Sequence, residues 1–330
     1  MASPASRKVI FAALFGNLVI AVIKFAASVF TGSSAMLSEA IHSVVDTGNQ
    51  GLLLYGIRAA ARRPDEAHPF GYGMELYFWT FVVAILIFAL GAGISIYEGV
   101  AKVIEPHPIE NPEINYAVLG AAMVFEGVAW SIAVKEFRKV MGPRGWLEEV
   151  RHSKDPTIFT VLFEDTAAMA GLLVAFSGIA AAQFTGLALL DGVASIVIGL
   201  ILAGTAALLA YESKELLIGE AASAEVVEGI RKILAGQEGI LCINEVLTMH
   251  LGPRDILCNI SIDFRQGLTS DQVEKTITSM ERRIKSAHPQ VTRIFIEALG
   301  RASHQRSVAQ LATEPGGEPG REPGGEGGSP

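Results

Sequence analysis

The sequence predicts an α-helical membrane protein with six transmembrane helices followed by a cytosolic αββαβ domain of ferredoxin-like, metallochaperone-like type. Half of the 330 residues are hydrophobic and only 18% are charged, with a mean hydropathy of +0.40. This composition is too apolar for an ordinary soluble protein. Apolar segments of about 20 residues, the length that a helix needs to cross a bilayer, fill the first two thirds of the chain. Patterns typical of short strands follow only afterwards.

The six candidate spans share this length and apolar composition. They are residues 9–30, 34–54, 76–103, 117–134, 158–182 and 187–211. Lysine and arginine cluster at the N-terminus and in the loops after the second and fourth spans, whereas the alternate loops lack them or are acidic. Because cytosolic loops carry an excess of these residues, the bias predicts a multi-pass protein of the cell (inner) membrane with both termini cytosolic.

Three regions are expected along the chain. They are a transmembrane domain over 1–213, a cytosolic domain over 214–300 and a disordered tail over 301–330. The cytosolic elements are predicted as a helix at 224–234, strands at 243–249 and 256–264, a helix at 270–286 and a strand at 292–298. The tail is rich in glutamate, proline and glycine and cannot bury a core.

The charge pattern argues against nucleic-acid binding, and the cysteine spacing argues against a metal or redox role for the two cysteines. The net charge of −8 comes without any basic block, so the sequence predicts no binding to nucleic acid. Cys242 and Cys258 stand outside any CxxC pattern and are interpreted as reduced thiols.

Ionisable residues inside two of the spans are the candidates for function. A charged side chain at the bilayer centre costs about 2.5–3.5 kcal/mol on insertion scales, yet His42 and Asp46 lie in the middle of the second span. Their spacing of four residues places both on one helix face. The fifth span carries the adjacent pair Glu164 and Asp165. Adjacent helix positions diverge by about 100°, so one carboxylate, with Asp165 favoured, is expected to face His42 and Asp46.

An imidazole and two or three carboxylates form a nitrogen and oxygen set that suits a divalent metal. Zinc is the first choice, followed by cobalt, iron(II) or manganese. Metal binding needs a neutral imidazole and ionised carboxylates, so metal and protons compete for the same groups. The alternative interpretation is a polar cluster that only holds helices together.

Other polar residues in the spans are assigned by depth. The first two spans are antiparallel about a short turn, so Lys24 and Glu39 lie at similar depth and are predicted to form a structural ion pair. The same count places Asn17 opposite Asp46. Asn17 and Glu126 are therefore candidates to orient a ligand or to relay protons, with helix packing as the alternative. Two acidic residues near span ends are interpreted as boundary residues: Glu98 and Asp191.

Five features in this order resemble the cation diffusion facilitator family over residues 8–300. They are "NLVIAVIKF", "SSAMLSEAIHSVVDTGNQ", "HPFGYGMELYFW", "LLDGVASIVIG" and the αββαβ domain. The resemblance implies a homodimeric metal/proton antiporter, not an enzyme, that exports zinc or a related divalent ion. In the fifth span, "FEDTAA" is similar to the branch that includes the mitochondrial zinc transporter of animals.

The resemblance also implies a transport site of paired residues, four apart, on the second and fifth spans. His42, Asp46 and Asp165 match this pattern, but Val161 stands at the usual partner position of Asp165. Glu164 is the candidate replacement. This departure leaves manganese and iron(II) open as substrates beside zinc.

Two accessory metal sites of the family are degraded in this sequence. The loop site keeps Asp65 and His68 but has Tyr72 in place of a second histidine. In the cytosolic domain, the family's ligand positions are occupied by Asn244, Ser261, Phe295 and Glu297. The resemblance therefore implies a cytosolic domain that serves dimerisation more than metal storage.

The function predicted first is a secondary transporter that exports a divalent cation from the cytosol in exchange for protons. A membrane-anchored metal-binding scaffold or sensor is the alternative. An enzyme is the third choice, because nothing resembling a nucleophile with an oxyanion hole accompanies His42.

Overall fold

The computed structural model of the protein describes residues 4–140 and 156–313. Their contacts divide them into two compact units. The first comprises the residues up to Glu220 together with Leu251–Pro253, and the second comprises Ala221–His250 and the residues from Arg254 onward. The first unit is helical, and the second contains a small sheet.

Six long helices make up the described part of the first unit. They are α1 (Pro4–Thr31), α2 (Ser34–Ala60), α3 (Glu75–Ile104), α4 (Pro112–Val140), α5 (Pro156–Thr185) and α6 (Leu189–Ile218). Helix α3 includes a π-helical segment at Ile87–Ala92.

Four of these helices, α3 to α6, are long and apolar enough to cross a membrane. Helix α2 is less apolar because it carries several polar side chains along its length, and α1 includes the apolar segment Asn17–Thr31. The fold class predicted from the sequence, a helical membrane protein followed by a small α/β domain, is confirmed.

A tight turn joins α1 to α2 and makes them antiparallel. Gly32 has a φ of 65°, a left-handed conformation that costs glycine little, and its amide donates to Ser28 O at 2.9 Å. Ser33 then caps α2 by accepting a hydrogen bond from Met36 N at 3.1 Å. The turn brings Lys24 and Glu39 to the same depth.

Asp191 stabilises the start of α2 from the first turn of α6. Its carboxylate accepts hydrogen bonds from Ser33 Oγ and Ser34 N, both at 2.7 Å. The side chain is fully buried. Asp191 thus lies at the end of its span, as predicted, and its carboxylate in addition satisfies orphan donors of a neighbouring helix start.

Helices α3 and α6 approach each other through glycines. A Cβ at Gly99 would come within 2.7 Å of Gly192 O, and a Cβ at Gly192 within 2.8 Å of Gly99 O. Small residues at such crossings let the two backbones pack closely. This packing stabilises helix association in the membrane, where lipid provides no hydrophobic driving force.

The second unit has the predicted αββαβ order with one further helix. Its elements are α7 (Ala224–Ala235), β1 (Ile240–Gly252), β2 (Asp255–Phe264), α8 (Ser270–Ala287), β3 (Val291–Ala298) and α9 (Arg301–Thr313). The strand order is β1-β2-β3, and β2 pairs with β3 in parallel, with Ile260 beside Ile296. Helix α8 begins with a capping box in which Thr269 and Gln272 bond reciprocally.

The core of this unit is formed by apolar side chains of α7, α8 and the sheet. They include Ile230, Leu234, Ile260, Ile262, Met280 and Ile284. Cys258 is buried in the same core and Cys242 is half-buried. Neither cysteine is in a disulfide, as expected for reduced thiols.

Two predicted boundaries need correction. Helix α6 continues past residue 213 to Ile218, where Gly219 adopts a φ of 100° and ends it. The region 301–330 was expected to be disordered throughout, but Arg301–Thr313 is helical. This segment lacks proline and glycine and contains good helix formers, whereas the proline-glycine repeats, 314–330, lie outside the described residues.

Candidate metal centre

One face of α2 carries three buried polar side chains in line. His42, Asp46 and Asn49 are spaced by four and then three residues, so they follow a single stripe of the helix. His42 is 2% exposed and Asp46 is 15% exposed. His42 Nε2 lies 3.4 Å from Asp46 Oδ2. The sequence prediction that His42 and Asp46 share a face holds in the structure.

Several atoms on this stripe are buried without a partner. Both ring nitrogens of His42 and Oδ1 of Asp46 find no hydrogen-bond partner among the described residues. A buried polar group without a hydrogen bond costs about 1–3 kcal/mol. Such groups on one helix face are available to a ligand.

Glu164 is the residue of α5 that contacts this stripe. Asn49 Nδ2 donates a hydrogen bond to Glu164 Oε1 at 2.9 Å, and Glu164 is buried. Asp165 is half-buried beside it. The sequence favoured Asp165 as the residue that faces α2, but the direct contact is made by Glu164.

The packing of α5 explains this difference. Glu164 continues a buried stripe of α5 at helical spacing that includes Ala168, Leu172, Ala175 and Ile179. The sequence does not show this stripe, because the positions beside it, such as Met169 and Phe176, are equally apolar. Asn49 was missed, although its position seven residues after His42 places it on the same face.

The acidic residues gather around Asp46 without forming a closed cage. The carboxylates of Glu164, Glu126 and Asp165 all act electrostatically on Asp46, and the Lys24 ammonium partly offsets them. Within 4–140 and 156–313, however, no three His, Cys, Asp or Glu side chains lie close enough to hold one metal ion. The site consists of two contacts, His42 with Asp46 and Asn49 with Glu164.

A buried ion pair lies one turn from this site. Lys24 Nζ is 3.1 Å from Glu39 Oε2 and donates to Ser43 Oγ at 2.8 Å. The ion pair predicted from the antiparallel turn is confirmed. The two remaining candidates, Asn17 on α1 and Glu126 on α4, are half-buried.

The loop between α2 and α3 keeps part of an accessory site. Tyr72 Oη donates to Asp65 Oδ2 at 2.6 Å, and His68 N donates to Asp65 Oδ1 at 2.7 Å. His68 Nδ1 is 3.7 Å from Asp65 Oδ1, and the rings of His68 and Tyr72 are 4.3 Å apart. The Tyr72 hydroxyl, and then the His68 amide, hold the pKa of Asp65 below its ordinary value. At the position of the family's second histidine, Tyr72 therefore donates a hydrogen bond to Asp65.

The corresponding positions of the second unit are joined by hydrogen bonds. Asn244 Nδ2 donates to Leu299 O at 2.7 Å and to Ser261 Oγ at 3.3 Å. Ser261 pairs with Glu297 in the parallel ladder. The amide and hydroxyl groups here tie β1 to β2 and to the residue after β3.

Comparison with known proteins decides the family. Residues 10–218 match the cation efflux transmembrane domain. The chain belongs to the cation diffusion facilitator family. Helices α1 to α6 all lie within or across the matched region, so the family assignment covers the candidate metal centre and supports a multi-pass membrane protein.

This cation diffusion facilitator is similar in sequence to three relatives from different organisms. It is 34% identical over 259 residues to the human "Proton-coupled zinc antiporter SLC30A9, mitochondrial", covering 78% of this chain and 46% of that protein. It is 31% identical over 261 residues to "Metal tolerance protein C4" of Arabidopsis thaliana, covering 78% and 57%. It is 23% identical over 308 residues to "Putative transporter MamV" of Paramagnetospirillum magneticum, covering 91% and 85%. The chain therefore spans about half the length of the first two.

Proposed function

We propose that the protein is a secondary transporter that exports a divalent metal cation, zinc first, from the cytosol in exchange for protons. His42, Asp46, Glu164 and Asp165 are the ligands in this proposal. The observation that carries it is the buried stripe of α2 whose His42 and Asp46 atoms lack hydrogen-bond partners among the described residues, facing Glu164 of α5.

Ion exchange follows from the charge of this cluster. Carboxylates that lie close together inside the membrane repel one another, so positive charge is needed to compensate them. Either protons or a divalent cation supply this charge. Metal binding requires the deprotonated forms of His42 and the carboxylates, so each ion that enters releases protons. Alternating access then opens the same groups to one side of the membrane at a time.

The remaining polar residues have supporting roles in this proposal. Asp165 adds a third carboxylate beside Glu164. Glu126 on α4 is in electrostatic range of Asp46 and Asp165 and is proposed to relay protons. Asn17 on α1 is proposed to orient Asp46.

Zinc is proposed as the first substrate for two reasons. The set of imidazole and carboxylates suits zinc, and the human and plant relatives are named as a zinc antiporter and a metal tolerance protein. Val161 removes one ligand from the expected pattern and makes the set richer in oxygen. Manganese, iron(II) and cobalt are therefore included as alternative substrates.

Orientation, location and assembly complete the proposal. Lysine and arginine in alternate loops support cytosolic termini, and the cell (inner) membrane is the proposed location. The helical unit that runs to Glu220 carries transport in this proposal. The unit that follows it is proposed to join two copies as a homodimer.

Flux into liposomes tests the proposal. The purified full chain is reconstituted with a metal-sensitive dye inside, and zinc uptake is followed with and without a pH gradient. We expect flux that depends on the gradient and disappears in Asp46→Ala and Asp165→Ala, whereas the exposed-site control Asp271→Ala retains it. Normal flux in both membrane variants would refute the site assignment.

A second comparison separates the roles of the acidic residues. We expect Glu164→Ala to weaken metal binding, because it removes a ligand, and Glu126→Ala to alter the pH dependence of flux with less effect on metal affinity. Unchanged affinity and pH dependence in both would exclude them from the mechanism. Metal binding by the wild type without any flux would instead favour the membrane-anchored sensor.

A further inference from the structure

We propose that Asn49 is a metal ligand that sets ion selectivity, an inference that rests on the proposed transport function. Its carbonyl oxygen supplies a neutral donor to the cation beside the ligands named above, and its amide nitrogen holds Glu164 toward the same ion. The sequence pattern of the family's paired ligands assigns no role to this position.

The position of Asn49 places it beside Asp46 on the polar stripe of α2. It follows Asp46 by three residues, so the two side chains are neighbours on one helix face. His42, seven residues before Asn49, shares this face about two turns, roughly 10 Å, further along the axis. Its side chain is fully buried. Its Nδ2 bonds to Glu164 Oε1 at 2.9 Å, while its Oδ1 has no hydrogen-bond partner in the described part of the chain.

The chemistry of the amide explains why its nitrogen bonds Glu164 while its oxygen stays available. An ionised Glu164 carboxylate accepts hydrogen bonds only, so the amide must present its NH₂ end to Glu164. The carbonyl oxygen then points away from the carboxylate and stays available. Asn49 therefore presents a free oxygen on the stripe that carries the unpartnered atoms of His42 and Asp46.

Charge balance favours a neutral donor at this position. The carboxylates of Asp46, Glu164 and Asp165 already supply at least the two negative charges that balance a divalent ion, and His42 binds metal in its neutral form. An amide oxygen adds a donor without adding charge, which keeps the cost of the loaded site in the membrane low. Val161, at the family's usual ligand position, has no donor atom. Cation binding draws the two contacts, His42 with Asp46 and Asn49 with Glu164, into one set.

The resulting donor set determines selectivity. Its only nitrogen donor is one imidazole and all its other donors are oxygens, and such a set accommodates manganese better than a set with two imidazoles does. Asn49 therefore broadens the range of transported ions beyond zinc. Replacing it with histidine narrows that range.

Competition measurements in liposomes test this inference. Zinc uptake is measured against increasing manganese for the wild type, Asn49→His and Asn49→Ala, and zinc affinity is measured on the purified chains. The control is Asn115→Ala, which removes a second fully buried asparagine whose Oδ1 bonds Thr31 Oγ1 at 2.9 Å.

We expect Asn49→Ala to weaken zinc binding about 10-fold or more and Asn49→His to shift the zinc-to-manganese preference toward zinc. Asn115→Ala leaves the preference unchanged. If Asn49 only positioned Glu164, its replacement would weaken the binding of zinc and manganese equally and leave the zinc-to-manganese preference constant. An unchanged preference in Asn49→His therefore overturns the inference. If Asp46→Ala retains wild-type flux, the proposed function itself fails.

Discussion

Lys24 of α1 and Glu39 of α2 form a fully buried ion pair, with Lys24 Nζ 3.1 Å from Glu39 Oε2. Lys24 Nζ also donates to Ser43 Oγ at 2.8 Å. The pair joins the first two helices one turn before His42. Its Lys24 charge acts on both His42 and Asp46, so the pair links helix packing to the electrostatics of the candidate metal centre.

Breaking this pair from one side should be more harmful than removing both charges. We expect Lys24→Met or Glu39→Gln alone to lower the free energy of unfolding by about 3–5 kcal/mol, because each leaves an uncompensated buried charge. The double variant should recover much of this loss. Thermal or denaturant unfolding in detergent, analysed as a double-mutant cycle, measures the coupling.

The exposed pair Lys275–Asp271, 2.6 Å apart on α8, provides the control. Removing either partner there should change stability by less than about 1 kcal/mol, since exposed pairs contribute little. Equal losses at the two pairs would contradict the role assigned to burial.

Asp191→Ala should destabilise the first unit. The substitution removes the acceptor for Ser33 Oγ and Ser34 N at the buried start of α2. Unsatisfied buried donors cost about 1–3 kcal/mol, and unfolding in detergent should report a loss of this size. Glu113→Ala, at an exposed acidic residue in the first turn of α4, should stay within about 0.5 kcal/mol of the wild type. A loss at Asp191 no larger than at Glu113 would rule out the capping role.

Tyr72→Phe should raise the pKa of Asp65. The Tyr72 hydroxyl is the largest cause of the lowered pKa of this exposed carboxylate, and phenylalanine has no donor. A lowered pKa means that Asp65 contributes stability above its unfolded pKa and loses that contribution as the pH falls through its folded pKa. In Tyr72→Phe this contribution should therefore be smaller, and its loss should be complete at a higher pH.

Carbon-13 carboxyl titration of aspartate by NMR measures this shift. The control Tyr97→Phe changes an exposed tyrosine of α3 and should leave the Asp65 titration where it is in the wild type. A wild-type Asp65 pKa in Tyr72→Phe would mean that the hydroxyl does not bond this carboxylate in solution.

Cys258 should resist thiol reagents in the folded protein. Burial excludes the reagent and raises the pKa of the Cys258 thiol to about 11, so little thiolate forms at pH 8. Cys242 is half-buried and should react first. Labelling counted by mass spectrometry should give one thiol before unfolding and two after it. In Cys242→Ser the native count should fall to zero, and rapid native labelling of Cys258 would contradict its place in the core.

Much of the site was accessible from the sequence because it depends on local periodicity. His42 and Asp46 share a face whatever the tertiary structure, since a four-residue spacing fixes their direction on any α-helix. The depth of Lys24 opposite Glu39 follows in the same way from two helices joined by a short turn. The capping box at Thr269 and Gln272 is likewise a local signal.

Composition and helical period were enough to predict the fold class, the order of the elements and which polar residues interrupt apolar helices. Which carboxylate of α5 contacts the polar stripe of α2 follows from the packing of the helices alone. The rotation of α5 about its axis is set by packing against its neighbours, and that packing presents Glu164 to Asn49. Asp191 shows the same limit, since its partners Ser33 and Ser34 lie more than 150 residues away in the chain and no local pattern connects them.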